Sequence, residues 1–224
     1  MKLSIIYKIF FIVLFSLICL NYCQAKDFNE KDYSIYIPEG LDTNESYPVI
    51  LGFSPSGNGK GLINIWKEAA DEYNCIIIAS NLMRNGAEPV YILEQFSKDL
   101  SNELSRNYPI DIKRTIAVGM SGGGMASHLF SFLYPNSVSA VITNVGCINE
   151  YARSQTDVYP HNKVCAFLAS PTDFNYSIMK IDLNFLTNHD WKCKWIEFQG
   201  GHSNAPKDKL KEALDFVLNE LNKN

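Results

Sequence analysis

From residue 26 onward, short apolar runs alternate with longer stretches in which apolar positions recur every three or four residues. Residues 33–37 (YSIYI) alternate apolar and polar and predict a half-exposed strand. Residues 48–53 (PVILGF), 75–79 (CIIIA), 115–119 (TIAVG), 139–145 (SAVITNV), 164–169 (VCAFLA) and 194–198 (KWIEF) predict strands, most of them buried on both faces. Between them the spacing predicts helices over 62–73, 89–107, 122–134, 176–188 and 207–222. Pro89 suits a first helical turn. In the last helix Leu210, Ala213, Leu214, Phe216, Val217 and Leu221 mark a buried stripe. Strand–helix alternation implies an α/β domain with three layers, a mainly parallel sheet covered by helices on both faces. Sites in such sheets lie beyond the carboxyl ends of the strands.

The first 25 residues follow a different pattern and read as a secretory signal peptide. Lys2 and Lys8 give a positive start, an apolar core runs from Ile9 to Leu20, and Ala25 supplies the small residue of a cleavage site. The uncharged run over 9–25 has 17 residues and weakens at Asn21 and Gln24, short of the roughly 20 that a membrane anchor needs. Bulky residues precede Cys19 and Cys23, against a lipoprotein signal. The expectation is a secreted or periplasmic protein with one domain over 26–224 and no stable membrane insertion after cleavage.

Charge narrows the partners. The chain has 20 Lys+Arg against 24 Asp+Glu, and loss of Lys2 and Lys8 moves the net charge from -4 to -6. An acidic chain without a basic cluster gives no reason to expect nucleic acid. Cys75, Cys147, Cys165 and Cys193 lie too far apart for a metal-ligand spacing, so no zinc is expected. Export permits disulfides. Three complete pairings are open, and Cys75 and Cys165 also read as small buried residues of their apolar runs.

The chemistry concentrates at the strand ends. Gly119-Met120-Ser121-Gly122-Gly123 is G-x-S-x-G between a predicted strand and a predicted helix, the context that gives the pattern meaning. There the glycines permit a tight turn that lifts one hydroxyl above the sheet. The N–H of Gly122 opens the helix and can stabilise an oxyanion. Of the four histidines in the predicted domain, only His202, in FQGGHSNAP, follows a strand. His128 lies inside the helix after Ser121, and His161 and His189 fall at the opposite end of the sheet. Asp173, after VCAFLASPT, is the carboxylate placed to orient the base. Asp157, Asp182 and Asp190 belong to an excursion, a helix and a return loop. The order Ser121, Asp173, His202 is the nucleophile–acid–base order associated with this turn. The loop over 54–61 (SPSGNGKG) fails the P-loop pattern at Ser54 and at Gly61, which leaves it as the source of a second oxyanion donor.

With these residues placed, YPVILGFSPSGNG, TIAVGMSGGGMAS, ASPTDFNYS and FQGGHSNAP resemble the α/β-hydrolase superfamily. The nearest look is to secreted feruloyl/acetyl-xylan esterases and polyhydroxyalkanoate-depolymerase-like esterases. The resemblance implies a nucleophile, acid and base at Ser121, Asp173 and His202 and no metal or organic cofactor. It also exposes a departure. Ser54-Pro55 stands where such enzymes usually carry His-Gly, and Pro55 has no N–H, so the second oxyanion donor falls to Ser56. No long insertion supplies a lid; residues 81–91 and 146–162 are the largest excursions, and an open site suits an acylated polysaccharide or polymer as well as a small ester. Ester hydrolysis is the expected activity. A peptidase or thioesterase with the same triad, and an exported carbohydrate- or surface-binding protein without turnover, are the rivals.

Overall fold

The computed structural model describes residues 26–29, 31–42, 44–101 and 108–223, with side chains from 31 onward. The predicted signal peptide and residues 102–107 of the predicted second helix lie outside them. The strands are β1 (Lys26–Asn29), β2 (Tyr33–Ile37), β3 (Tyr47–Phe53), β4 (Ile76–Ser80), β5 (Ile110–Met120), β6 (Ala140–Asn144), β7 (Val164–Ala169) and β8 (Lys192–Glu197). The helices are α1 (Gly59–Glu72), α2 (Pro89–Asp99), α3 (Gly122–Leu133), α4 (Glu150–Ser154), α5 (Tyr176–Thr187) and α6 (Lys207–Leu221).

One sheet runs in the order β1-β2-β4-β3-β5-β6-β7-β8. β1 and β2 enter antiparallel, and from β4 to β8 every pairing is parallel. The near-continuous apolar runs split residue by residue between the two faces, because successive side chains of a strand point opposite ways. Val49, Leu51 and Phe53 of β3 and Cys165, Phe167 and Ala169 of β7 pack with α2, α3 and α5. Ile50, Val164, Ala166 and Leu168 pack with Leu62 and Trp66 of α1 and Leu214 and Val217 of α6.

One sequence expectation changes here, and elements are found in two stretches where none was predicted. β2 is buried on both faces rather than half-exposed, because α1 covers the side that its polar positions face. Tyr36 stays satisfied there through hydroxyl contacts with Lys67 and Asp71 of α1. β1 was not expected. The excursion over 146–162 contains α4 and a 3-10 turn over Thr156–Val158.

Successive connections place the site. From β3 the chain moves to β4 on one side, and then returns to β5 on the other side of β3. The connections therefore diverge beyond the carboxyl ends of β3 and β5, which opens a crevice at that topological switch.

Candidate active site

β5 passes into α3 through Ser121, whose φ of 54° and ψ of -123° are unfavourable for a residue with a Cβ. Such a conformation costs about 1–3 kcal/mol and persists only where the surroundings over-determine it. Here the Ser121 N–H donates to the Asn144 carbonyl at 2.9 Å, and the Met125 N–H donates to the Ser121 carbonyl at 3.1 Å. The flanking glycines are steric requirements. A Cβ on Gly119 would fall 2.2 Å from the carbonyl carbon of Gly123, and one on Gly123 would fall 2.0 Å from the Phe53 carbonyl oxygen. The start of α3 thus rests directly on the backbones of β5 and β3, with the serine at the crest.

The other two predicted residues reach it from β7 and β8. The turn after β7 is closed by the Asp173 N–H donating to the Ser170 carbonyl at 3.0 Å. It is held again by the Asn175 N–H donating to Asp173 Oδ1 at 2.7 Å. Asn175 Nδ2 donates to the carbonyl of Val145 at 2.9 Å, and Val145 itself has a positive φ of 41°. The loop after β8 is drawn to the same turn by the Gly201 N–H donating to Ser170 Oγ at 2.9 Å. His202 Nδ1 lies 2.6 Å from Asp173 Oδ2, and His202 Nε2 lies 2.8 Å from Ser121 Oγ.

The hydrogen-bond chemistry fixes the proton positions. The Asp173 side chain is fully buried, and a carboxylate only accepts, so Nδ1 carries the imidazole proton and donates to it. In neutral His202, Nε2 is then an acceptor aimed at the serine hydroxyl. Asp173 also accepts the Asn175 N–H on Oδ1, so one of its oxygens holds the turn before α5 while the other faces the imidazole.

None of the other candidate groups joins this chain. His128 is fully buried, neither ring nitrogen has a partner, and burial lowers its imidazole to about 3. His161 faces Asp190, and His189 is bound by the carbonyls of Phe185 and Thr156. Asp182 is buried against Arg153 and the Ile148 N–H. Asp157 sits in the 3-10 turn. Cys75, Cys147, Cys165 and Cys193 are free thiols, with Cys75 and Cys165 buried. Among the described residues no group of three or more His, Cys, Asp or Glu is gathered as for a metal ion, and no helix is long and apolar enough to cross a membrane.

Gly122 follows the serine directly, and Ser56 lies in the loop after β3. Phe53 of β3 pairs with Gly119 of β5, so Ser56 and Gly122 each stand three residues beyond that register pair. Gly122 opens α3 in the first turn, where an N–H has no intrahelical acceptor. The Ser56 N–H is not idle: it donates to Ser54 Oγ over a long 3.3 Å, and the two hydroxyl oxygens are 3.0 Å apart. The loop is pinned by the Asn85 N–H donating to the Pro55 carbonyl at 2.9 Å and by a β-bridge between Ser56 and Arg84.

Cavities open on either side of the elbow. One of about 210 Å³ is lined by Ser56, Leu62, Trp66, Met120, Asn204 and Leu210. The other, of about 160 Å³, is lined by Asn85, Pro89, Gly122, Met125 and Asn149. Sequence reasoning missed the residues that hold the site rather than form it: Ser170, Val145, Asn175, and Asn85, whose side chain covers the Gly122 Cα. It also missed Phe174, which lies against the His202 ring. Only Asn175 carried a signal, as a turn-type residue two positions after Asp173.

No protein-family model matches the chain, and no curated protein does. Solved structures do. A Bacillus cereus carboxylesterase superposes with a TM-score of 0.65 at 16% identity, over 84% of this chain and 93% of that one. The fluorophosphonate-binding serine hydrolase F of Staphylococcus aureus gives 0.64 at 10%, over 89% and 98%. A ferulic acid esterase gives 0.64 at 14%, over 88% and 100%. At these identities the likeness speaks for architecture, and with the sheet order and serine elbow described above it establishes that this chain has the α/β-hydrolase fold.

Proposed function

We propose that this protein is an exported serine esterase that cleaves carboxylic esters through Ser121, His202 and Asp173. One observation carries the reading: a hydroxyl on a strained elbow lies 2.8 Å from an imidazole whose other nitrogen lies 2.6 Å from a buried carboxylate. His202 Nε2 takes the hydroxyl proton as Ser121 Oγ attacks the ester carbonyl. Asp173 holds the tautomer and stabilises the imidazolium. The imidazolium then returns its proton to the leaving alcohol, and an acyl-enzyme remains. Water enters, His202 takes its proton as the water oxygen attacks the acyl carbonyl, and the imidazolium returns that proton to Ser121 Oγ as the acid is released.

The oxyanion is assigned to the N–H groups of Gly122 and Ser56. For Ser56 this requires an exchange of acceptors. A long bond to a neutral hydroxyl is weaker than a charge-assisted bond to an oxyanion, so the exchange is downhill. The cavity lined by Leu62, Trp66 and Leu210 suits a compact apolar acyl group, and the open rim suits an ester carried on a polysaccharide or polymer. The named activities of the carboxylesterase and ferulic acid esterase neighbours favour esters over other acyl compounds.

A second reading, a binding protein without turnover, has one observation in its favour: the Ser56 N–H already has an acceptor, and Pro55 cannot replace it. Purified protein over 26–224 treated with a fluorophosphonate probe separates the two. The esterase reading expects labelling that disappears in Ser121→Ala, together with hydrolysis of p-nitrophenyl acetate well above that of a matched peptide amide. Folded protein that takes no label supports the binding reading.

A further inference from the structure

Phe174 follows the acid Asp173 directly, and its ring is stacked on the imidazole of His202, with centroids 4.3 Å apart and planes inclined by 27°. The residue is nevertheless 76% exposed, the most exposed large apolar side chain among the described residues. One face of the ring is therefore against the imidazole and the rest is open to solvent. Its backbone is fixed on both sides, by Asp173 donating to the Ser170 carbonyl and by Asn175 bound to Asp173 and to Val145. An apolar ring held this firmly in water at the mouth of a site is arranged to meet something.

We propose that Phe174 is the platform for the leaving alcohol, and that the alcohol is carried on a ring with an apolar face. This rests on the esterase reading and deepens it. The leaving oxygen must come within hydrogen-bond reach of His202 Nε2 to collect its proton. Nε2 belongs to the ring that Phe174 covers, so a substituent on that oxygen rising out of the imidazole plane on the Phe174 side meets the phenyl ring. An aromatic alcohol, or a saturated ring presenting its C–H edges, gains a stacking contact there. A short linear alcohol does not reach far enough to gain one. Aromatic contacts of this kind are worth about 0.5–1.5 kcal/mol beyond area burial, or roughly 2- to 12-fold in rate.

The test compares benzyl acetate with ethyl acetate, two esters with the same acyl group and leaving alcohols of similar acidity. The ratio of their kcat/KM values is measured for the wild type, Phe174→Ala, Phe174→Leu and Phe174→Tyr. The expected result is a ratio that falls about 3- to 10-fold in Phe174→Ala and Phe174→Leu and is retained in Phe174→Tyr. The breakdown rate of the acetyl-enzyme, from which the alcohol has already departed, should move by less than the benzyl ester's acylation rate. If both esters lose rate equally, Phe174 acts only by steadying His202 and the proposal is overturned. Failure of the underlying esterase reading looks different, because then the wild type itself neither takes up fluorophosphonate nor turns over either ester.

Discussion

Replacing Asp173 by asparagine isolates the orienting role of one oxygen without changing the size of the side chain. Asp173 Oδ1 accepts the Asn175 N–H at 2.7 Å and Oδ2 faces His202 Nδ1 at 2.6 Å. An amide has one acceptor oxygen for these two donors. If that oxygen stays on Asn175, the NH2 group faces Nδ1, which must then give up its proton. The proton moves to Nε2 and points at Ser121 Oγ, and the imidazole can no longer accept from the hydroxyl. The opposite flip keeps the tautomer but sets the NH2 against the Asn175 N–H, leaving a buried donor unpaired at about 1–3 kcal/mol. The lost carboxylate charge would also have stabilised the imidazolium in the transition state. In the trypsin-like triad, the equivalent exchange lowers kcat by about 10⁴, which is about 5.5 kcal/mol of transition-state stabilisation. A fall of 10³–10⁴ in kcat on p-nitrophenyl acetate near neutral pH is therefore expected, with KM little changed and the circular dichroism spectrum intact. Asp182→Asn is the matched control. That carboxylate is also buried, but it ties the Ile148 N–H and Arg153 together away from the serine, so its loss should lower Tm and leave most of kcat. Retention of more than a tenth of wild-type kcat in Asp173→Asn would refute the orienting role.

Ser121→Gly removes the Cβ that makes φ 54° and ψ -123° unfavourable; it should abolish turnover while raising stability by about 1–2 kcal/mol in chemical denaturation, once the greater freedom of glycine in the unfolded chain is deducted. His128 should dominate part of the acid limb of stability. Its imidazole is lowered to about 3 by burial, whereas in the unfolded chain it protonates near 6.5. The unfolded state therefore binds a proton that the folded state refuses between those values, so this contribution is complete above pH 6.5 and is lost as pH falls toward 3, by up to about 5 kcal/mol. His128→Leu should flatten the fall of stability across that window, and should not destabilise at pH 7 because both ring nitrogens are buried without partners. An unchanged acid limb in His128→Leu would show that other groups set it.

Local chemistry explains how much of the site could be read in advance. The period-2 and period-3.6 patterns need only neighbours in sequence, and they place strand cores well: 164–169 coincides with β7, and 122–134 with α3 to within a residue. β2 was misjudged because its polar positions look solvent-facing until α1 is laid over them, with Lys67 and Asp71 meeting the Tyr36 hydroxyl. The G-x-S-x-G turn is legible for a steric reason that reaches only as far as the next strand. Gly119 must clear Gly123, and Gly123 must clear Phe53. Ser56 was legible as a position but not as a donor already engaged, since a contact with Ser54 Oγ depends on side-chain rotamers.

The sequence by itself determined most of the elements, the α/β class, the serine elbow, and which His and Asp fall at a carboxyl edge. Each of these follows from residue periodicity or from the backbone freedom of particular residues. Only the tertiary structure decided that three side chains from the ends of β5, β7 and β8 meet within hydrogen-bond distance, and that Ser170, Val145 and Asn175 hold them there. It alone laid Phe174 over His202 and left His128 sealed in the core. Those outcomes depend on strand order and register between segments far apart in the chain, and no local pattern encodes a distance that two separate loops must close together.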